Sequence, residues 1–161
     1  MIGFMRIITL FILLFLISSC KTRRVVVTAF EPFGGKTINS SEVILRKIKN
    51  ADEKIVLPVD YNLAWSKLAE KLDPRPDKLI MLGEYKGKEL RVDLIASLNG
   101  ITYTSEIAQK INFIKQNFFP GNFVCNYIYF KALEEGHNAV FIHIPEDYYE
   151  FGVVQKIVDL N

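Results

Sequence analysis

The sequence predicts an α/β fold, a three-layer α/β/α sandwich around a mostly parallel sheet, and three observations predict it. Short β-branched runs alternate with segments whose apolar residues recur at helical spacing, the pattern of successive βαβ units. Two of the runs end at glycine, and another ends at His143, which places turns and a titratable side chain where such sheets build their sites, at the carboxyl ends of strands. The length of 161 residues, half of them apolar, is ample for one core and short for two.

The elements follow in order. Residues 24–30 read as a buried strand that stops at Glu31-Pro-Phe-Gly-Gly35. Asn39 caps a helix with Glu42 in its first turn and Val43, Ile44 and Ile48 as its apolar stripe. A second strand covers 54–59, and Leu63, Ala64, Leu68 and Leu72 make 61–72 helical. Asp73-Pro-Arg-Pro-Asp77 closes that helix. Strands are predicted at 78–83, ending in glycine, and at 89–97, where apolar positions alternate. Ile107, Ile111 and Ile114 predict a helix over 105–117, and further helices are predicted at 126–135 and 149–160, with a strand at 139–143 between them.

The first twenty residues are set apart from this domain. Arg6 precedes an apolar run, 7–17, that has the length of a signal-peptide core and is short for a membrane span. The run ends in Leu16-Ile-Ser-Ser-Cys20, which resembles a bacterial lipobox, so residues 1–19 are expected to be a lipoprotein signal, Cys20 the lipidated residue, 20–24 a linker and 25–161 the folded domain. The expected location is the bacterial cell envelope, with a membrane partner held through Cys20. An uncleaved N-terminal helix is the other reading of the run. If Cys20 carries lipid, Cys125 is the one thiol left, and no intrachain disulfide can form. Twenty basic groups against 18 acidic ones, without a basic block, give no electrostatic reason to expect nucleic acid. Two separated histidines and no cysteine cluster fall short of a metal-ligand set, and no cofactor is expected.

Three features could carry chemistry. Gly34-Gly-Lys-Thr37 matches the end of a phosphate loop, but Phe30 stands where its first glycine belongs and Pro32 offers no N–H, so the cradle of donors is incomplete. Cys125 precedes a predicted helix, whose free N–H groups favour a thiolate and could hold an oxyanion; the competing reading is a small buried hydrophobe. His143 ends a strand and can reach a nucleophile at the same sheet edge, whereas His137, beside Gly136, reads as an exposed loop residue.

Val27-Thr-Ala-Phe-Glu-Pro-Phe-Gly-Gly35, Ile38-Asn-Ser-Ser41, Val56-Leu-Pro-Val59, Phe123-Val-Cys-Asn-Tyr127 and Phe141-Ile-His-Ile-Pro145 occur in an order that resembles pyroglutamyl peptidase I, the cysteine peptidase family C15. The resemblance implies that family's sandwich, removal of an N-terminal pyroglutamate from peptides, Cys125 as nucleophile and His143 as general base. The carboxylate that orients the histidine matches Asp93 if one residue has been lost from Gly83-Glu-Tyr-Lys-Gly-Lys-Glu-Leu-Arg-Val-Asp93, with Glu89 a second stand-in and an ordinary strand-end residue the alternative. Phe30 and Phe33 match the family's ring-packing turn, Glu84 falls in the segment that lines the pocket, and Lys88 stands for a family arginine, keeping charge without the planar fork. The expected partner is a peptide or small acyl substrate. The segment from Asn99 to Cys125 is shorter than in the family, and Glu84-Tyr-Lys86 is bulkier and more charged. Those departures sustain a rival from another class: a lipoprotein that keeps the fold as a binding or structural module with a degenerate pocket.

Overall fold

The structure, a computed structural model, describes residues 23–160. The proposed signal segment, with Cys20 and most of the linker, lies outside them. No helix among the described residues is long and apolar enough to cross a membrane.

Eight strands and five helices are described: β1 (Val25–Phe30), α1 (Ser40–Lys47), β2 (Glu53–Leu57), α2 (Tyr61–Ala69), β3 (Lys78–Tyr85), β4 (Arg91–Asp93), β5 (Ile95–Leu98), β6 (Ile101–Thr104), α3 (Glu106–Lys110), β7 (Lys115–Asn117), α4 (Val124–Glu134), β8 (Ala139–Pro145) and α5 (Gly152–Asp159). Six strands form one sheet in the order β2-β1-β3-β8-β4-β7. The first four run parallel, β4 lies antiparallel to β8, and β7 pairs parallel with β4. Strands β5 and β6 make a separate antiparallel hairpin.

Strand residues alternate between two cores because successive side chains point to opposite faces. Val25, Val27 and Ala29 of β1, Ile80 and Leu82 of β3, and Val140 and Ile142 of β8 pack with Ile44 and Leu45 of α1, Ile107 and Ala108 of α3, and Val154 and Ile157 of α5. Val26 and Phe30, Leu79 and Met81, and Ala139 and Phe141 pack on the other face with Ala64 and Leu68 of α2 and Ile128, Tyr129 and Ala132 of α4. The expected three-layer sandwich is thus the observed one.

Two predicted elements divide. The run 89–97 is not one strand: Leu94 turns between sheets, its N–H donating to the Asn117 carbonyl and its carbonyl accepting from Ser105 N–H. The β5–β6 hairpin then closes on Asn99 and Gly100, both at positive φ (51° and 80°), the conformation of a tight two-residue hairpin turn. The helix predicted over 105–117 ends at Lys110. Ile107 and Ala108 are buried on the sheet as the spacing demands, but Lys115–Asn117 completes the ladder of β4, whose backbone groups at that edge would otherwise have no partner. The terminal helix begins at Gly152 rather than at 149, and α4 begins at Val124, two residues earlier than predicted.

The amino end of the sheet is tied down by cations. Lys78, 1% exposed at the start of β3, donates from Nζ to the carbonyls of Ile157, Val158 and Leu160 at 3.0, 3.0 and 2.5 Å, and Arg23 donates to Leu160 as well. Three ammonium hydrogens thereby reach carbonyls in and just beyond the last turn of α5, at the end where the helix dipole favours positive charge. Lys78→Met, which keeps the stem and removes all three donors, is expected to lower unfolding free energy by about 2–3 kcal/mol, read as a lower midpoint in urea at unchanged slope.

Candidate active site

The geometry at the carboxyl end of the sheet follows from register. Gly83 of β3 pairs with His143 of β8, and Arg91 of β4 lies opposite His143 on the other side. Asp93 is opposite Phe141, two residues back on the same face as His143. Its Oδ2 lies 2.9 Å from His143 Nε2. Asp93 is 3% exposed, and its other oxygen accepts from Asn117 Nδ2 at 2.7 Å. Tyr129 of α4 donates its hydroxyl hydrogen to the Asp93 carbonyl at 3.0 Å, fixing the strand at that point. The methylene by which aspartate is shorter than glutamate is thus no obstacle to the bond.

The other ring nitrogen, His143 Nδ1, is buried without a hydrogen-bond partner among the described residues. The ring is held between Phe141 and Tyr85, with centroids 5.0 and 5.2 Å away. With Nε2 engaged by Asp93, the imidazole has one nitrogen oriented and one available, the division of labour a general base needs.

Cys125 is the second residue of α4, inside its first turn rather than ahead of the helix. Its sulfur stands over Gly83: a β-carbon built on that glycine would lie 3.1 Å from Cys125 Sγ and 2.6 Å from Phe141 Cζ. Gly83 in turn is the register partner of His143, so the sulfur and the histidine both neighbour that glycine on one face of the sheet. Gly83→Ala is expected to displace the sulfur and the Phe141 ring together, cutting turnover at least tenfold and destabilising the fold by about 1–3 kcal/mol, measured by steady-state kinetics and urea unfolding.

The sulfur's surroundings decide its resting state. Burial, then the charge of Asp93, push the Cys125 thiol up from its ordinary 9.0 to about 12, although the residue retains partial exposure. A helix N-terminus favours a thiolate, but here loss of solvent outweighs it. The group therefore rests as a thiol. The cap residue of α4, Phe123, provides no side-chain acceptor, and the first intrahelical bond is from Tyr127 N–H to the Phe123 carbonyl. The N–H groups of the first turn are left to serve another oxygen. Asn126 pins the neighbouring hairpin, accepting from Ser97 N–H at 3.0 Å and donating to the Ser97 carbonyl at 2.6 Å.

The remaining sequence candidates lie elsewhere. Phe30 is 2% exposed and belongs to the apolar cluster against which Cys125 packs. Phe33 is 40% exposed, its ring beside Lys36. Glu84 is on the opposite face of β3 from Gly83, where its carboxylate accepts from Ser40 N–H at 2.6 Å and pairs with Lys36 at 2.7 Å. Against the pull of burial, Lys36 and Ser40 hold the Glu84 carboxyl below its ordinary range. Lys88 is exposed in the β3–β4 turn, and Glu89 is engaged with Lys115 at 2.6 Å and does not meet the histidine. A cavity of about 370 Å³ lies on the Glu84 side, lined by Lys36, Ser40, Glu84, Glu146 and Tyr149 among others, with neither Cys125 nor His143 in its wall. Lys36 is neutralised there by Glu84 and Glu146, both at 2.7 Å, which removes the charge a phosphate loop would present. His137, expected in an exposed loop, is 7% exposed, because the positive φ of Gly136 (74°) folds the chain back and ties His137 N–H to the Ala132 carbonyl.

Sequence reasoning missed Asn117, Tyr85 and Arg91. Asn117 was hidden in a predicted helix, and Tyr85 was counted only as bulk in an altered segment. Arg91 lies two residues before Asp93, a spacing that puts both on one face of a strand.

No protein-family model matches the chain. Among curated proteins, a pyrrolidone-carboxylate peptidase of Thermoanaerobacter sp. (strain X514) is 28% identical over 166 aligned positions, covering 76% of this chain and 82% of that protein. Pyrrolidone-carboxylate peptidase 2 of Caldanaerobacter subterraneus subsp. tengcongensis is 26% identical, with 76% and 81% covered. Among solved structures, the pyrrolidone carboxyl peptidase of Thermus thermophilus superposes with a TM-score of 0.68 at 20% identity, over 83% of this chain and 96% of that one. The pyroglutamyl peptidase I of Bacillus amyloliquefaciens gives 0.65 at 21% identity, over 84% and 91%. Fold and sequence point the same way: over about three quarters of its length the chain is similar to curated pyrrolidone-carboxylate peptidases, and its fold is that of the solved pyroglutamyl peptidase structures.

Proposed function

We propose that this protein is a cysteine hydrolase of the pyroglutamyl peptidase type, acting through Cys125, His143 and Asp93 and tethered to the cell envelope by lipid on Cys20. The observation that carries the catalytic reading is the bond between His143 Nε2 and Asp93 Oδ2 at 2.9 Å, with Nδ1 left open on the side of the sheet that bears the cysteine. The similarity to named pyrrolidone-carboxylate peptidases supplies the substrate class, a peptide that begins with pyroglutamate.

Because Cys125 rests as a thiol, proton removal accompanies attack. Nδ1 takes the Sγ proton as the sulfur bonds to the scissile carbonyl carbon, and N–H groups of the first turn of α4 receive the oxyanion. Asp93 stabilises the imidazolium that forms. The intermediate collapses when His143 returns the proton to the leaving amine and the C–N bond breaks, leaving a pyroglutamyl thioester on Cys125. Water then adds with His143 again as base, releasing pyroglutamate and restoring the thiol. The lipobox-like Leu16-Ile-Ser-Ser-Cys20 supports the tether.

The test is chemical. Incubation with a pyroglutamyl aminocoumarin reporter, acid quench, digestion and peptide-mass analysis should show one pyroglutamyl group on the peptide containing Cys125 together with released fluorophore. Neither adduct nor fluorophore would dispose of the catalytic reading.

A further inference from the structure

Beside the proposed triad stands a cation that the mechanism does not use. Arg91 projects from β4 on the same face as His143, which it opposes in register. Its guanidinium lies over the Tyr85 ring, 5.2 Å from the centroid, and that ring packs on His143. The stack sets the plane of the fork, so little freedom is left to lose on meeting an anion. Its Nε is buried without a hydrogen-bond partner among the described residues. The carboxylate it meets is Glu89 at 3.7 Å, and that group is drawn to Lys115 at 2.6 Å instead. A buried N–H left unpaired is destabilising, and a ligand oxygen that reached it would relieve that cost.

The surrounding surface has the same sign. Lys86 and Lys88 are exposed in the turn between Tyr85 and Arg91, and Lys115 lies on the neighbouring edge strand, with Glu89 the acidic residue among them. Three lysines and one arginine against Glu89 and the Asp93 carboxylate leave this flank of the histidine net positive, a sign that biases which substrate approaches. On the other side of the histidine the wall is Gly83 and Phe141, apolar and suited to the neutral lactam ring.

We infer that Arg91 is a specificity residue that binds a carboxylate in the part of the substrate beyond the scissile bond, making short acidic pyroglutamyl peptides the preferred class. The inference rests on the hydrolase reading for the placement of the lactam, while its own content is the charge of the leaving portion. An acidic side chain and the free carboxyl end of a dipeptide share the chemistry, and the two are separable by amidation.

Titration calorimetry on the Cys125→Ser protein, which cannot turn substrate over efficiently, tests it with pyroglutamyl-glutamate, its C-terminal amide and pyroglutamyl-glutamine amide. At least one carboxylate-bearing ligand should bind ten-fold or more tightly than the uncharged one, with affinity falling as salt rises. Loss of preference only on amidation assigns the free end; its persistence assigns the side chain. Arg91→Gln should bring all three to within about twofold of one another, and Arg91→Lys should keep part of the preference. Equal binding of all three ligands to protein with Arg91 in place, absence of binding, or a preference that survives Arg91→Gln would overturn the assignment. A preference abolished by Arg91→Gln in a protein whose Cys125 form hydrolyses none of these peptides would uphold Arg91 and remove the hydrolase reading instead.

Discussion

Cys125→Ser is expected to lower kcat/KM for a pyroglutamyl reporter by on the order of 10⁴ while leaving the folded structure in place. The substitution is nearly isosteric, and the site tolerates the smaller atom because the wall opposite the sulfur is Gly83 and the Phe141 edge, neither of which depends on the thiol for a hydrogen bond. What changes is chemistry: a hydroxyl is a poorer nucleophile and a far weaker acid, and His143 must remove its proton in the same step. Thermal midpoints of the two proteins should agree within a few degrees, and undiminished turnover by the serine protein would end the proposal. The same sulfur makes a second, independent statement. With the thiol pushed from 9.0 to about 12, its ionised fraction at pH 7 is about a thousandfold below that of free cysteine, so carbamidomethylation by iodoacetamide should be correspondingly slow and rise tenfold per pH unit through pH 9 and beyond. A plateau near neutrality would show a stabilised thiolate and a different division of labour with the imidazole.

Removing the base should cost nearly as much. His143→Ala is expected to reduce kcat/KM roughly 10³-fold, within the range that general acid and base catalysis contributes, and millimolar imidazole should restore part of the rate by entering the space the ring leaves between Tyr85 and Phe141. Asp93→Asn keeps a hydrogen-bonding group against Nε2 but withdraws the charge that stabilises the imidazolium, and its loss should be about 10²-fold, concentrated in kcat. Asn117, which donates to the same carboxylate at 2.7 Å, would then face an amide whose orientation must serve two neighbours at once. If His143→Ala retained full activity, the proton would be travelling another way and the triad would be structural only.

The sandwich was legible because both cores announce themselves in the strands: Val25, Val27 and Ala29 alternate with Val26 and Phe30, and the helices carry their stripes at the right spacing. Cys125 and His143 could be named from context, and that each of them neighbours Gly83 follows only once strand order is known. Strand order is long-range information. Nothing local in Arg91-Val-Asp93 says that the strand runs antiparallel to β8, yet that reversal sets Asp93 two positions back from His143, within reach of its ring. The stretch 99–121 misled because Ile107, Ile111 and Ile114 continue a helical period past the point where the β4 edge claims the backbone, and tertiary hydrogen bonds outweighed local spacing. Asn99-Gly100 was the overlooked local cue, since that pair favours a two-residue hairpin turn and both residues adopt positive φ. Glu84 was assigned to the pocket by its neighbourhood in sequence, and the period of two along β3 carries it to the far face instead.

Arg23 clasps Leu160 at one margin of the sheet, whereas Cys125 and His143 occupy the opposite margin. The six residues of β1 separate those margins by about 20 Å. Whatever is joined ahead of Arg23 therefore enters the domain at the margin remote from Cys125 and His143, and a label or fusion partner attached there leaves both side chains unobstructed.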